Sequence, residues 1–337
     1  MKFNVGYPQT RNDRFVGKII EHAGEISEVY FSFGGIPNGR SPMTGDEFPL
    51  DAQLRQLGDL KSIARAGIKL DLLLNANCYG EDSLARAFYM KLGDTVDFLC
   101  GRVGLSVVTT TSPLIAKFLH ANFDLDVRAS VNIGVGSPQA LDQVSDYFDS
   151  FYIKRELNRD LKALRRVKSW CDANSKKLFI LANSGCTNDC PAHDFHDNLV
   201  AHEAEISKRD NAYQFTGLCK ERLQKPEKRF TIVRDMNYIR PEDVHLYEGL
   251  CESMKLATRV NPNPVRLLDA YLDGFYRGAV TDLLEPDNGA AMRPVIVDNS
   301  RFPKDFGERV MNCAKDCENC DYCRVVYDQA KAELVEI

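Results

Sequence analysis

Eight short runs rich in β-branched and aromatic residues alternate with amphipathic segments along this chain. No other feature limits its possible folds as strongly. The runs read as strands over Lys2–Gly6, Glu28–Phe33, Lys69–Leu74, Leu105–Thr110, Val127–Ile133, Phe151–Arg155, Leu178–Ala182 and Ser253–Thr258. Helices are expected between them over Asp13–Glu21, Leu50–Ala66, Asp82–Leu92, Val96–Arg102 and Arg159–Asp172. In the second of these, Leu54, Leu57, Leu60 and Ile63 fall at helical spacing. Ser112-Pro113 and Ser137-Pro138 read as N-caps followed by proline at the first helical position, and Asn158 as the cap of the long helix.

Strands separated by crossovers favour a parallel sheet, and eight is the number that closes a barrel. The expected fold is therefore α/β, a (β/α)8 TIM-type barrel. A doubly wound open sheet is the alternative, but no glycine-rich dinucleotide fingerprint follows the first strand. Residues 204–240 break the rhythm and read as an insertion after strand seven, with Phe230–Val233 pairing locally. GGIPNGRSP after strand two reads as a long loop. Pro241–Gly249 reads as a short helix and Val265–Leu284 as a last long one. The expected division is a barrel over residues 1–285 and an extension over 286–337 that carries a cysteine cluster.

The 337 residues are 44% apolar and 27% charged, with a net charge of −5, which is ordinary for a globular protein. No Lys/Arg block stands out, so broad electrostatic binding to DNA is not expected. No apolar run is long enough to span a membrane, and the first residues lack the apolar centre of a signal peptide. Eleven cysteines without such a peptide argue for reduced thiols or metal ligands and a cytoplasmic setting.

Chemistry in such a barrel gathers where strands end. That rule collects Tyr7, Asn75, Asn77, Thr109, Thr110, Asn132, Arg155 and Arg259. Strand five places Arg128, Ser130 and Asn132 on one face, pointing into a polar interior or into a satisfied hydrogen-bond network. Strand seven runs into Asn183-Ser184-Gly185 and then Cys186, Cys190, His193, His196 and His202. Soft ligands at the end of a buried strand are one way to present a metal. Zinc on Cys186, Cys190, His193 and His196 is one reading, although the His-x-x-His gap is shorter than usual; backbone capping by the histidines is another. Cys313, Cys317, Cys320 and Cys323 place four thiols in eleven residues, which suits an iron–sulfur cluster or zinc. Cys219 and Cys251 are further candidates, whereas Cys78, Cys100 and Cys171 read as packing residues.

On these residues the chain resembles peptidase family U32, the "collagenase-like" family, over about residues 1–285. Tyr152-Ile-Lys-Arg155-Glu156-Leu157 looks like the family's strand ending in Arg-Glu-Leu. The loop at Cys186 matches its strand-seven cysteine loop. Lys255-Leu-Ala-Thr-Arg259 is similar to its Lys-Ile-Glu-Gly-Arg, with Ala257 and Thr258 at the acidic and glycine positions. The resemblance implies a TIM-type barrel and a [4Fe–4S] cluster on four cysteines. It also implies oxygen-independent hydroxylation of ubiquinone precursors or RNA bases. Cys186, Cys190 and Cys219 look like three of the four ligands, and this chain has no cysteine where the remaining one is found. Arg128, Arg155, Lys255 and Arg259 would then hold an anionic small molecule or RNA substrate. One expected arrangement has two clusters, with Cys323 completing the barrel site and Cys251 completing the C-terminal one. The other functions considered are a zinc hydrolase and a non-catalytic, cluster-bearing partner in a complex; neither HExxH nor a nucleophile elbow supports the hydrolase.

Overall fold

The computed structural model describes residues 1–8, 12–39 and 49–334. Its centre is a closed barrel of eight parallel strands. These are β1 (Phe3–Gly6), β2 (Ile26–Phe31), β3 (Lys69–Leu74), β4 (Val107–Thr110), β5 (Asp126–Ala129), β6 (Ser150–Tyr152), β7 (Lys177–Leu181) and β8 (Ser253–Leu256). Closure is made by β1 against β8, with Asn4 opposite Lys255. The crossover helices are α1 (Asp13–Glu21), α2 (Leu50–Arg65), α3 (Arg86–Val103), α4 (Pro113–Asn122), α5 (Pro138–Val144) and α6 (Leu161–Ala173).

The two-residue period of the strands sorts their side chains. Val5, Val29, Leu70, Leu72, Val108, Val127, Phe151, Ile180 and Met254 pack outward with Phe15, Ile19, Leu60, Leu99 and Leu164 of the helices in one apolar core. The alternate positions, Asn4, Glu28, Asp71, Thr109, Arg128, Ser150 and Lys255, are buried and polar. They fill the barrel with a hydrogen-bonded interior. Local chemistry fixes the helix starts as expected at two places. Ser112 Oγ accepts from Ile115 N at 3.3 Å and Ser137 Oγ accepts from Ala140 N at 3.2 Å.

Several expected boundaries move. Strand five stops at Ala129, because Ser130 Oγ accepts from Asn132 N and opens a 3-10 turn over Val131–Ile133. Strand six stops at Tyr152, and Arg155 begins another 3-10 turn, Arg155–Arg159. Asn158 does not cap α6. Asp160 does so, accepting from Ala163 N at 2.9 Å, while Asn158 Nδ2 donates to the Leu181 and Asn237 carbonyls at 2.7 Å each. The two helices expected over 82–102 are a 3-10 turn, Gly80–Leu84, and the single helix α3. The last long helix ends early, at Asp273, where Gly274 adopts a φ of 64°. Phe230–Val233 gives no strand: Thr231–Arg234 is a helical turn whose apolar residues face a second core. The latter part of the GGIPNGRSP loop, residues 40–42, lies outside the described residues.

That second core unites the insertion with the C-terminal segment. Phe230, Ile232, Val233 and Met236 pack with Val280, Leu284, Met292, Phe306, Val310, Val326 and Tyr327. A small antiparallel pair, β9 (Val295–Val297) and β10 (Lys331–Glu333), closes the segment. Arg159, at the mouth of β6, reaches across to it. Its guanidinium donates to the Val233 carbonyl at 2.8 Å and lies 4.5 Å from the Tyr238 ring centre and 5.4 Å from that of Phe306. No helix among the described residues is long and apolar enough to cross a membrane.

Candidate functional site

The loop that leaves β7 is clamped between two straps. On one side Gly185 N donates to the Glu285 carbonyl at 2.9 Å, and Asn288 Nδ2 donates to the Gly185 carbonyl at 3.0 Å. On the other, Asn237 donates to the Cys186 carbonyl through its backbone N at 3.3 Å and its Nδ2 at 3.2 Å, and Asn188 N donates to the Asp235 carbonyl at 2.6 Å. Gly185 is required by the first clamp, since a Cβ there would lie 2.3 Å from the Pro286 carbonyl oxygen. Cys186 is thereby fixed at the C-terminal end of the barrel, just past β7, as expected.

Arg155 lies beside it. Its Nη1 donates to Cys186 Sγ at 3.6 Å and also meets His193 Nε2, and its Nη2 donates to Asn132 Oδ1 at 3.1 Å. His193 in turn lies 3.2 Å from Asp197. Cys190 and Cys219 line one cavity of about 410 Å³, whose wall also carries Arg222, Lys225 and Lys228. Cys219 Sγ points to Asn288 Oδ1 at 3.9 Å. Gly217, with a φ of 98°, sits where a Cβ would be 3.5 Å from the His196 ring and 3.6 Å from Cys219 Sγ. Burial pushes the Cys186 thiol up, and the Arg155 guanidinium opposes that shift. Burial also raises Cys219, with the nearby Cys186 and Cys190 adding to the effect. The three thiols that the sequence singles out are thus neighbours across a gap of some thirty residues.

The four basic candidates separate by environment. Arg128 is fully buried. It grips both oxygens of Glu28, donates to Ser150 Oγ at 3.0 Å and lies 3.7 Å from the Phe179 ring centre. Burial disfavours its charge, but the Glu28 carboxylate more than offsets this and raises its pKa. It is a buried member of the barrel interior, its guanidinium taken up by Glu28 and Ser150. Lys255 lies above the Tyr30 ring at 3.9 Å and near that of Tyr152 at 5.1 Å, and burial lowers its pKa to about 8. Its neighbour Asp71 is raised to about 6, again by burial first, and accepts from Thr109 Oγ1 at 2.8 Å. Arg259 is 8% exposed and donates to Asn38 Oδ1 at 2.9 Å. Arg155 therefore stands at the cysteine loop, and Lys255 and Arg259 on and just beyond β8.

Cys251 belongs to neither site. It precedes β8 whereas Cys186 follows β7; in a parallel pair those positions lie at opposite ends of the barrel. It is buried, and the charges that act on it are Glu252, the N-terminal amine and Lys168. For Cys323, the thiols that act on it include Cys313, Cys317 and Cys320. Sequence reading missed the asparagine clamps, Asn237 and Asn288, and the carboxylates of Glu28 and Asp71. For the carboxylates a signal existed, namely an acidic residue at the inward phase of an alternating strand.

A resident cluster is implied by the family resemblance, and the donor chemistry fits it in part. Three half-buried thiols, one of them beside the Arg155 guanidinium, form a soft donor set with no fourth cysteine among them. Among the described residues, no three His, Cys, Asp or Glu side chains are drawn around one point as a single ion requires. A cubane is itself several ångströms across and holds its thiolates wider apart than one zinc does.

No family model matches the chain. A protein named as an uncharacterized protease of Methanocaldococcus jannaschii is 24% identical over 311 residues, spanning 91% of this chain and 89% of its own. Among solved structures, the U32 peptidase Mk0906 superposes on 76% of this chain and 91% of its own, with 14% identity and a TM-score of 0.53. At that identity it speaks for the fold.

Proposed function

Taking as premise that the chain is a U32 peptidase-like protein, which the archaeal relative and the solved fold both support, we propose that it is an oxygen-independent hydroxylase or related redox enzyme. It holds a [4Fe–4S] cluster at the barrel mouth and acts in the cytoplasm on a small-molecule or RNA substrate. The observation that carries this reading is the meeting of Cys186, Cys190 and Cys219 beside Arg155. Those three thiolates would hold the cluster, and when bound it would supply a one-electron couple.

The chain's own residues set the conditions for that chemistry. Arg155 offsets thiolate charge at Cys186 and is itself oriented by Asn132. The straps at 235–237 and 285–288 hold the loop backbone, so the thiols are positioned before anything binds. The cavity beside Cys190 and Cys219 carries charges of both signs, Arg222, Lys225 and Lys228 against Asp189, Glu221 and Asp235, with Arg222 3.7 Å from Asp235. Lys255 and Arg259 contribute positive charge on the β8 side.

Anaerobic purification with iron and sulfide assays and a visible spectrum tests the reading. Brown protein whose iron content and visible absorption fall in the C186S/C190S/C219S variant supports it. Colourless protein with stoichiometric zinc refutes it and revives the hydrolase, which is then tested with fluorogenic peptides.

A further inference from the structure

The barrel site leaves Cys313, Cys317, Cys320 and Cys323 unused. Cys313 follows the helix Phe306–Met311, and Cys323 lies in the first turn of the helix Tyr322–Ala330. Both helices are anchored in the second core through Phe306, Val310, Val326 and Tyr327. Arg309 stacks on the Tyr322 ring at 3.9 Å and Arg324 on that of Phe230 at 3.8 Å. The loop between the helices is exposed but ordered by its own contacts. Asn319 Nδ2 donates to both Asp316 oxygens at 3.0 Å, Lys315 takes a φ of 58°, and Lys315 Nζ reaches Asp160 at 3.6 Å.

We propose that Cys313, Cys317, Cys320 and Cys323 hold a second [4Fe–4S] cluster of their own, borrowing no ligand from the barrel. Three observations converge. First, Cys317-x-x-Cys320-x-x-Cys323 is the run that gives ferredoxins three thiolates on one cubane, and Cys313 stands four residues before it, with three residues between. Second, the fold brings the two ends of the run together: Arg309, four residues before Cys313, stacks on the ring of Tyr322, next to Cys323, at 3.9 Å, and the ring of Phe306 lies 6.4 Å from that of Tyr322. Third, guanidiniums stand against the run: those of Arg159 and Arg234 act on these thiols and would counter the anionic charge of a cubane on four thiolates, while Asp235 pairs with Arg234 and Asp316, Glu318 and Asp321 lie within the run itself. Zinc demands thiolates about 3.8 Å apart, as Zn–S bonds of about 2.3 Å in a tetrahedron require. No such group of three stands ready among the described residues.

The test is metal analysis and low-temperature EPR of three anaerobically prepared proteins. Two separate cubanes give about eight irons per wild-type chain. C313S/C317S/C320S/C323S is expected to lose half of the iron and keep the barrel signal. C320S alone alters an exposed position and preserves the fold if the quadruple variant does not; it should convert one cluster to a [3Fe–4S] signal. C186S/C190S/C219S should keep the C-terminal signal. If that triple variant keeps all its iron while the quadruple variant loses its own, the barrel reading fails and this one stands. Iron content unchanged by the C-terminal variants overturns the proposal. So does wild-type zinc that those variants remove, or a barrel signal lost in C320S.

Discussion

Arg128 illustrates how one residue's surroundings decide its role. A polar residue on a central strand could face a substrate or complete a network, and spacing alone does not distinguish the two. Its bidentate grip on Glu28 settles the matter. Breaking a buried pair by removing one partner leaves an uncompensated charge and costs about 3–5 kcal/mol. Arg128→Met should therefore lower unfolding free energy in urea by that order. Arg128→Met with Glu28→Met should recover most of it; a single variant as stable as wild type would sink the structural assignment. Lys255 and Asp71, in the same interior with Arg128, Arg259 and Glu28, predict a pH signature. The folded state lowers Lys255 from 10.5 to about 8, so between those values the unfolded chain binds more protons and stability rises with pH. Asp71 is raised from 3.8 to about 6, so between those values the folded chain binds more protons and stability falls as pH rises. Each slope is at most about 1.4 kcal/mol per pH unit. Unfolding free energies measured across pH should show the upper limb flattened by Lys255→Met and the lower one by Asp71→Asn.

Elements were legible in proportion to how locally they are encoded. The eight strands, the Ser112 and Ser137 caps and the position of the β7 loop follow from periodicity and turn chemistry, and the structure places them close to where the sequence indicates. What local pattern could not reveal were boundaries set by distant partners. Asn158 looked like a cap, but its amide is taken by carbonyls of Leu181 and Asn237, which lie in other elements. Phe230–Val233 has a β-type composition, yet its apolar side chains serve a core supplied from beyond residue 280. The meeting of Cys219 with Cys186 was suggested only by family resemblance, because an insertion of irregular helices brings it back. The clamps on the β7 loop give a prediction at this scale. Gly185→Ala puts a methyl 2.3 Å from a backbone oxygen, so the 285–288 strap must move away from the cysteine loop. Iron bound at the barrel site should fall in that variant while iron bound at residues 313–323 persists, as read by EPR. Equal loss of both signals would mean global destabilisation instead.

At the scale of the molecule, a second large core stands beside that of the barrel among the described residues, and it is shared by segments far apart in sequence. Val326 and Tyr327 close it over Phe230 and Val233. Val326→Ala should cost about 1–2 kcal/mol by loss of buried apolar surface, visible as a lower Tm. Removal of residues 313–337 should therefore loosen the insertion that carries Cys219 as well as deleting four thiols, and cysteine-to-serine variants separate the two effects. The same arrangement imposes an order on biosynthesis. A ribosome delivers the β7 loop about 140 residues before the helix that completes its neighbouring core, an interval of roughly seven to thirty seconds at ordinary elongation rates. During that interval β8 can emerge and the barrel can close, while the insertion still lacks its apolar cover. Nascent chains arrested near residue 290 should therefore be cut by protease within 204–238 and spared in the barrel, and release of chains extended past residue 330 should protect both. On the proposed cluster-bearing reading, metal loading at the β7 loop then becomes a late event in the life of the chain, one that prematurely terminated copies cannot reach.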